Sequence, residues 1–400
     1  MQAINDKSRP STDWIEFLRN RFPCESEIDR ILTRKMQRRA GQGYEPIPLE
    51  TLVKGVESLL LTELGDNFEV SGAKWLSGGA SKLQMSFMLT WQPPGSERVT
   101  LPMVLRMEPA ESIVETSRLR EFQLIKAMEG TVPVPTAYWH DADGKHLPYP
   151  ALIYGFSEGV TKPSDAISGV SGLGTHLPPA LQEKLAPQFV EHLAAIHTCD
   201  FSDKDLSAFD IPSLGTTQCA EWGLNWWERV WEEDSDEDVP LMRYCAAWLR
   251  ANMPVLDHVG VVHSDYRIGN FLFTESDARI TAWLDWELGR IGDRHQDIAW
   301  TTTKAFASLA EDGKTLLTCG LIPEAEFIAA YEKAAGLKVN PQTVHWYKIY
   351  NDYVMVTLVM GTGYRVARGG KTHQDVLVTW LMGIGYMLLD EMCTLIEEAS

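Results

Sequence analysis

The sequence predicts an α+β fold of two lobes, in which a small lobe with an antiparallel sheet precedes a larger and mainly helical lobe. Short apolar runs separated by turn residues occupy much of the region before Gly159, whereas long segments of helical periodicity follow it. The chain has 400 residues, which is more than one hydrophobic core usually supports. We therefore expect a cleft between the two lobes.

The first 50 residues predict a helical extension. Apolar positions recur at near-helical spacing from Asp13 to Arg39 and are interrupted by Pro23, which indicates two short helices. A further helix is predicted from Leu49 to Leu64, because its apolar pattern ends at Gly65, a residue that commonly terminates helices.

Residues 51–159 form the predicted small lobe. After the helix that ends at Gly65, the apolar period changes to that of strands, separated by glycine and proline turns, which predicts an antiparallel meander. The strands predicted are Phe68–Trp75, Leu83–Trp91, Val99–Met107, Tyr138–Trp139 and Ala151–Phe156, with one helix over Ser112–Glu129.

Residues 160–400 form the predicted large lobe. It contains one β-rich segment, Gly260–Trp286, among long helical patterns. The helical segments are Ala180–His197, Glu221–Trp231, Pro240–Ala251, Pro323–Gly336, Val344–Arg368 and Thr372–Glu398.

The charge balance limits the partners of the chain. Asp and Glu total 55 against 36 Lys and Arg, which gives a formal net charge of -19. Such a charge opposes general binding to a phosphate backbone or an anionic membrane surface, so we expect no nucleic acid partner. Solubility is the simplest explanation of the charge, and electrostatic capture of a cationic substrate is the alternative.

The cysteines and the apolar segments predict a cytoplasmic protein. The six cysteines are scattered and form no C-x-x-C pair, as is typical of reduced cysteines. Met1 to Pro10 is polar and lacks the apolar core of a secretory signal. The stretch from Leu377 to Leu389 is shorter than the ~18–20 residues that span a bilayer, so we expect a core helix and no membrane association.

The β-rich segment carries a candidate catalytic loop. His263, Asp265 and Asn270 form the pattern H-x-D-x-x-x-x-N between two apolar strands. This spacing allows a carboxylate to face a substrate hydroxyl while an amide oxygen reaches a metal ion. Taken alone, Asp265 could cap a turn and Asn270 could bridge a loop.

A second acidic motif follows. The strand from Ile280 leads to Asp285, and Asp293 and Asp297 lie in the next G-D-x-x-x-D segment. A hard Mg²⁺ ion requires oxygen ligands, which Asp285 can supply, although pairing with an arginine is the plain structural alternative. The order and spacing of both motifs after a β-rich lobe favour catalysis over coincidence.

These two segments resemble a known family. H-S-D-Y-R-I-G-N-F-L-F followed by L-D-W-E-L-G-R-I-G-D-R-H-Q-D-I-A-W is similar to the aminoglycoside phosphotransferase and choline kinase superfamily, which has a protein-kinase-like fold. The similarity is nearest to a branch of stand-alone phosphotransferases related to hydroxyacyl-CoA kinases, whose W-L-x-x-N-x-P stretch is matched by Trp248–Pro254. The resemblance covers about residues 50 to 390.

The resemblance implies roles for several residues. Asp265 would be the catalytic base, with Arg267 as its catalytic neighbour, and Asn270 and Asp285 would bind Mg²⁺. Asp297 would steady the loop. The small lobe would then bind ATP, and the large lobe would provide catalysis and bind the acceptor.

The small lobe offers candidate nucleotide contacts. In the loop after Leu76, the backbone N–H groups of Gly78, Gly79, Ala80 and Ser81 would approach phosphates, although an ordinary hairpin turn is the alternative. The loop resembles the family pattern G-G-x-S-N, with Lys82 in the place where asparagine is frequent.

Arg106 follows Val104-Leu105 at the position where protein kinases place their phosphate-binding lysine, and Glu121 lies in the next helix. The resemblance implies that Glu121 orients Arg106 toward the nucleotide, against the alternative of a surface arginine and a solvated glutamate. It also places Ile153 and Gly155 in the connection that binds adenine.

Other candidates have more than one interpretation. We expect His197 on its apolar helix to be structural. Aromatic residues at helical spacing favour core packing, with a substrate wall as the alternative; they are Trp222, Trp226, Trp227 and Trp231. Arg365 or Arg368 would meet an acceptor that is anionic.

The predicted function is ATP- and Mg²⁺-dependent transfer of the γ-phosphoryl group to a hydroxyl of a small molecule. The branch resemblance favours a hydroxyacyl-CoA or a related catabolite as acceptor, and an aminoglycoside or macrolide antibiotic is the alternative. A nucleotide-binding pseudokinase or interaction module is the alternative of another class; it would lose the base or the metal ligands, which this sequence retains. A homodimer is left open.

Overall fold

The computed structural model describes residues 6–76, 82–164, 174–372 and 375–399. An antiparallel sheet forms the centre of the first lobe, and the second lobe is mainly helical. The predicted fold class is therefore confirmed.

The predicted meander forms the main part of the small-lobe sheet. Its described strands are arranged in the order β1-β2-β3-β5-β4, with antiparallel neighbours throughout. The extension and the small lobe contain α1 (Thr12–Arg21), α2 (Ser26–Arg38), α3 (Leu49–Leu64), β1 (Phe68–Trp75), β2 (Leu83–Trp91), β3 (Val99–Met107), α4 (Arg118–Met128), β4 (Ala137–Asp141) and β5 (Ala151–Gly155).

The two faces of this sheet have different neighbours. Leu105 and Met107 of β3 point to the face covered by α3, where they are buried with Val56 and Leu60. Each fully buried aliphatic side chain contributes about 1.5–3 kcal/mol. Because successive side chains of a strand point to opposite faces, Arg106 lies on the other face.

Helix α4 begins later than the sequence pattern predicted. The prediction began at Ser112, but that hydroxyl accepts a hydrogen bond from the backbone N–H of Val114 at 3.2 Å, which favours a turn. Ser117 is the N-cap, since its hydroxyl accepts from the Arg120 N–H at 3.4 Å. The helix therefore begins at Arg118.

The large lobe contains the predicted long helices and several short strands that the pattern missed. Its described elements are α5 (Pro179–His197), α6 (Gln218–Asp234), α7 (Pro240–Ala251), β6 (Gly260–Val262), β7 (Phe271–Thr274), β8 (Arg279–Trp283), β9 (Arg290–Gly292), α8 (His295–Thr301), β10 (Ser308–Leu309), β11 (Leu316–Thr318), β12 (Ile322–Pro323), α9 (Glu324–Ala335), α10 (Pro341–Val356), α11 (Tyr364–Arg368) and α12 (Asp375–Glu398).

Helix α10 passes into α11 through a π-helical segment, Thr357–Gly363. The sequence predicted one continuous helix there. Among the described helices, none has both the length and the apolar composition needed to cross a membrane.

The N-terminal extension packs against the large lobe. Ile31 and Leu32 of α2 are buried in the same core as the indoles of α6. Lys35 contributes an ion pair, with its Nζ 2.7 Å from Oε2 of Glu233, and Arg229 pairs with Asp29 at 2.6 Å. Apolar burial and paired charges thus hold the extension on α6.

Candidate active site

The loop that carries Asp265 is held at both ends by short strand pairs, because β6 pairs with β9 and β7 with β8. The Asp265 carboxylate accepts three side-chain hydrogen bonds. Oδ1 accepts from Nε1 of Trp300 at 2.6 Å and from Nε of Arg267 at 2.8 Å, and Oδ2 accepts from Nδ2 of Asn270 at 2.5 Å. The structure therefore brings the predicted residues Asp265, Arg267 and Asn270 together.

Asp297 holds the backbone at the start of this loop. Its fully buried carboxylate accepts from the N–H of His263 at 2.8 Å and from the N–H of Ser264 at 2.7 Å. Ser264 has a φ of 66°, a conformation that is strained for a residue with a Cβ. The two hydrogen bonds stabilise that strained turn, in agreement with the role that the resemblance implied for Asp297.

His197 supports Asp297 from behind. Its Nε2 lies 3.1 Å from Oδ2 of Asp297 and its Nδ1 lies 2.8 Å from the hydroxyl of Tyr331. Complete burial lowers the pKa of His197 below its ordinary value, despite the opposing carboxylate. A neutral ring satisfies both partners, so the structural interpretation of His197 agrees with the geometry.

Asp285 lies beside the catalytic loop. The preceding residue, Leu284, donates its N–H to the carbonyl of Asn270 at 2.8 Å, and its carbonyl lies 3.0 Å from Nε2 of His263. Asp285 itself has a φ of 63°, and its side chain is 31% exposed. The Asp285 carboxylate is thus partly accessible, and the backbone before it is hydrogen-bonded to Asn270.

Arg106 joins the small lobe to Asp285. Its Nε lies 3.1 Å from Oε1 of Glu121, and its NH2 lies 2.5 Å from Oδ1 of Asp285 and 3.3 Å from Oε1 of Glu287. The predicted pairing of Arg106 with Glu121 is present, and both side chains are buried. The alternative of a surface arginine with a solvated glutamate is wrong.

Sequence reasoning missed the rest of this charged group. Glu287 forms ion pairs with Lys82 at 2.9 Å and with Arg118 at 3.1 Å. Burial alone would raise the pKa of Glu287, but the charges of Lys82, Arg106 and Arg118 hold it well below its ordinary range. We call Lys82, Arg106, Arg118, Glu108, Glu121 and Glu287 the lobe-bridging cluster. The D-x-E spacing of Asp285 and Glu287 was the available signal.

The predicted adenine contacts involve the backbone of Ile153 and Gly155, and they stay a prediction. The side chain of Ile153 is completely buried on the α3 face of the sheet, and the N–H of Gly155 donates to the carbonyl of Thr136 at 2.8 Å. Tyr154, paired with Val104 on the neighbouring strand, points to the same face as Arg106. The predicted phosphate contacts Gly78, Gly79, Ala80 and Ser81 lie outside the described residues.

The donor set at the cleft fits Mg²⁺. Asp285 and Asn270 offer carboxylate and amide oxygens, which are the ligands that this ion prefers. Nδ2 of Asn270 also donates to the carbonyl of Asp265 at 2.9 Å, so the amide oxygen is the atom left for a metal. Arg106 holds Oδ1 of Asp285, and its guanidinium would also be available to a phosphate.

The other candidate residues, which are tryptophans and arginines of the large lobe, contact partners within the fold. Trp226 and Trp227 stack with centroids 4.9 Å apart, and both are buried in the core together with Trp231. Arg365 pairs with Glu111 at 2.5 Å, and Arg368 pairs with Asp236 at 3.2 Å. Core packing therefore describes these three tryptophans, and each arginine already has a carboxylate partner.

Trp300 provides a testable contribution to this site. We expect Trp300→Phe to lower kcat about tenfold while KM for ATP changes little, since a hydrogen bond to a charged group contributes about 1.5–3 kcal/mol. Phenylalanine preserves the apolar contact with Phe306, whose ring centroid lies 4.9 Å away. Steady-state kinetics measure the effect. The control is Trp380→Phe, an indole that is 55% exposed on α12, and equal rates in both variants would contradict the role of Trp300.

Comparisons with known proteins agree with this geometry. Residues 86–347 match the model of a family described as "Phosphotransferase enzyme family", which confirms the resemblance found from the motifs. The chain is 25% identical over 286 residues to acyl-CoA dehydrogenase family member 11 from Pongo abelii. The aligned region covers 68% of this chain and 35% of the relative. It is 26% identical over 207 residues to family member 10 from Mus musculus, with 50% and 18% covered. The chain thus spans about a third or less of these relatives.

Solved structures share the fold at low identity. A protein from Ralstonia eutropha JMP134, assigned as an aminoglycoside phosphotransferase, has a TM-score of 0.62 and 20% identity, covering 86% of this chain and 98% of that one. An ethanolamine kinase from Plasmodium vivax has a TM-score of 0.52 and 14% identity, with 92% and 97% covered. A macrolide 2'-phosphotransferase type I has a TM-score of 0.51 and 16% identity, with 84% and 99% covered. These likenesses establish the fold.

Proposed function

The chain belongs to the phosphotransferase enzyme family, and from this premise we propose that it transfers the γ-phosphoryl group of ATP to a hydroxyl group of a small molecule. The arrangement of Asp265, Asn270 and Asp285 carries the proposal. One carboxylate is oriented by three side-chain donors, and the second belongs to the residue after Leu284, whose N–H donates to the backbone carbonyl of Asn270. Phosphoryl transfer needs such an arrangement. One side chain orients the acceptor hydroxyl and takes its proton, and others supply oxygen ligands to the metal ion.

Each residue has a defined task in this proposal. Asp265 orients the acceptor hydroxyl and takes its proton, and Arg267 holds the Asp265 carboxylate from one side. Asn270 and Asp285 would hold Mg²⁺, which neutralises charge on the phosphates when bound. Because the transferred group is metaphosphate-like, positioning and charge neutralisation account for most of the catalysis.

The small lobe supports nucleotide binding through Arg106. Its guanidinium is fixed by Glu121 behind it and points toward Asp285. A guanidinium can hold a phosphate through two parallel hydrogen bonds. The lobe-bridging cluster keeps this side chain in place, because removing one partner of a buried ion pair costs about 3–5 kcal/mol.

For the acceptor, we favour a hydroxyacyl-CoA or a related hydroxylated catabolite. The support is similarity to segments of proteins named as acyl-CoA dehydrogenase family members, together with the Trp248–Pro254 stretch of the resembling branch. An aminoglycoside or macrolide acceptor is the second candidate, and the names of two similar structures favour it.

A screen of acceptors tests this proposal. We expect ADP formation in the presence of Mg²⁺ and ATP to depend on a hydroxyacyl-CoA, with kcat/KM exceeding that for aminoglycosides, macrolides and choline by about tenfold or more. The matching acyl-CoA without the hydroxyl group is the control and should give no phosphorylated product. An efficiently phosphorylated antibiotic would overturn the acceptor, and nucleotide binding without transfer to any acceptor would favour a pseudokinase.

A further inference from the structure

A cavity of about 240 Å³ lies in the large lobe between the segment that follows α8, strand β11, the start of α9, and helices α10 and α12. Its described lining includes neither Asp265 nor Asp285, so it is separate from the proposed catalytic residues. A volume of this size equals that of roughly eight water molecules. It is large enough for a ligand of a few heavy atoms.

Asp352 of α10 lines this cavity and is only 4% exposed. Its carboxylate has neither a hydrogen bond nor an ion pair with any of the described residues. The buried carboxylate of Asp234, by contrast, forms ion pairs with Lys35 and Arg39. Burial of an unpaired carboxylate is unfavourable, and it raises the pKa of Asp352 well above its ordinary value, with Glu391 acting in the same direction.

Two lysines of the lining, Lys348 and Lys304, oppose the rise in the pKa of Asp352 through their charge, but neither forms an ion pair with it among the described residues. Lys348 forms its ion pair with Glu324, at 3.1 Å, and Nε2 of His345 lies 2.8 Å from the carbonyl of Leu395. Lys304 is an exposed residue of the lining and forms no ion pair within the described part of the chain. Asp352 therefore has no ion-pair partner among the described residues, and Glu391 lies in the lining of the same cavity.

The shape of the lining distinguishes an organic cation from a metal ion. Among the described residues, the one group of three or more side chains whose ligand atoms converge as a metal site requires is Asp257, Asp293 and His295, outside this cavity. Apolar side chains form another part of the wall, among them Leu316 and Leu395. A buried carboxyl group without an ion pair, beside an apolar wall, matches an ammonium group attached to a short alkyl chain.

We propose that this cavity binds a small primary alkylamine or diamine, with its ammonium group against Asp352 and its alkyl chain against Leu316 and Leu395. Because burial holds the pKa of Asp352 well above its ordinary value, binding displaces the proton of this carboxyl to solvent. The ammonium then donates hydrogen bonds to the resulting carboxylate and neutralises it. The site uses none of the residues of the proposed phosphoryl transfer, so it stands or falls independently of that function.

Calorimetric titration of the full chain with 1,4-diaminobutane tests the proposal. We expect saturable binding that Asp352→Asn weakens about tenfold or more, while the thermal unfolding temperature shows that the variant is folded. The matched control is Asp203→Asn, whose carboxylate is 78% exposed and which should bind as the unmodified chain does. Equal affinity in Asp352→Asn, or absence of binding to the unmodified chain, would overturn the site.

Two further measurements separate the alternatives. If Mg²⁺ or Ca²⁺ binds and its binding depends on Asp352, while binding of the diamine does not depend on Asp352, the cavity is a metal site and the proposal is wrong.

Lys304→Met tests whether Lys304 neutralises Asp352 in solution. The proposal requires that this variant retain diamine binding at unchanged or higher affinity, and binding that arises in this variant alone would show that Lys304 is the true partner.

Discussion

Asp265→Ala should lower turnover with the true acceptor by about 10³-fold, within the range of 10²–10⁴ that a positioned general base contributes. The variant loses the carboxylate that orients the hydroxyl, and no neighbouring side chain replaces it, because Trp300, Arg267 and Asn270 are all donors toward that position. The Asp265 side chain is 16% exposed at the cleft, so water can satisfy these donors and the fold should persist.

The affinity for ATP separates this effect from unfolding. Asp265→Ala should bind Mg²⁺-ATP almost as tightly as the unmodified chain, since the nucleotide is assigned to Arg106 and the metal to Asn270 and Asp285. Asp277→Ala is the matched control, because that carboxylate is 56% exposed and its partners are Arg279, at 3.5 Å, and the hydroxyl of Thr274. Unchanged turnover in Asp265→Ala would rule out the assignment of the base.

Asp285→Ala should reduce turnover by about 10³-fold for a different reason. It removes an oxygen ligand of the metal that neutralises the transferring phosphoryl group, a contribution of several kcal/mol, and each ~1.36 kcal/mol corresponds to tenfold in rate. It also frees Arg106 from one carboxylate, although Glu121 and Glu287 remain beside that guanidinium. The fold of the small lobe should therefore be retained.

Titration of the variant with ATP, with and without MgCl₂, measures this loss. The unmodified chain should bind ATP more tightly when Mg²⁺ is present, and Asp285→Ala should lose most of that difference, whereas Asp277→Ala should retain it. An undiminished effect of Mg²⁺ on the affinity of Asp285→Ala would show that other groups hold the metal.

Much of the small lobe was predictable because its signals are local. Strands β1, β2 and β3 have the predicted bounds, since alternation of apolar residues and glycine or proline turns act over a few neighbouring positions. Helix α7 likewise has its predicted bounds, with Pro240 at its first turn. The strands β10 to β12 were missed because two or three residues carry no recognisable period.

In the candidate site too, residues close in sequence were predictable and a residue from a distant helix was not. Asp265, Arg267 and Asn270 lie within one short loop, so their spacing alone predicted that they would meet. Trp300 reaches the same carboxylate from α8, and only packing of that helix against the loop brings it there.

Sequence alone therefore determined the two-lobed α+β class and the family, and it located the candidate catalytic loop, because these depend on residue types at short spacing. Tertiary structure decided which face of β5 meets Arg106, where α4 begins, and that Lys82, Arg118 and Glu287 complete a buried charged cluster. It also placed Asp352, without an ion pair among the described residues, in a cavity of the large lobe. The physical reason is that burial and ion pairing depend on contacts between segments far apart in the chain, which no local pattern records.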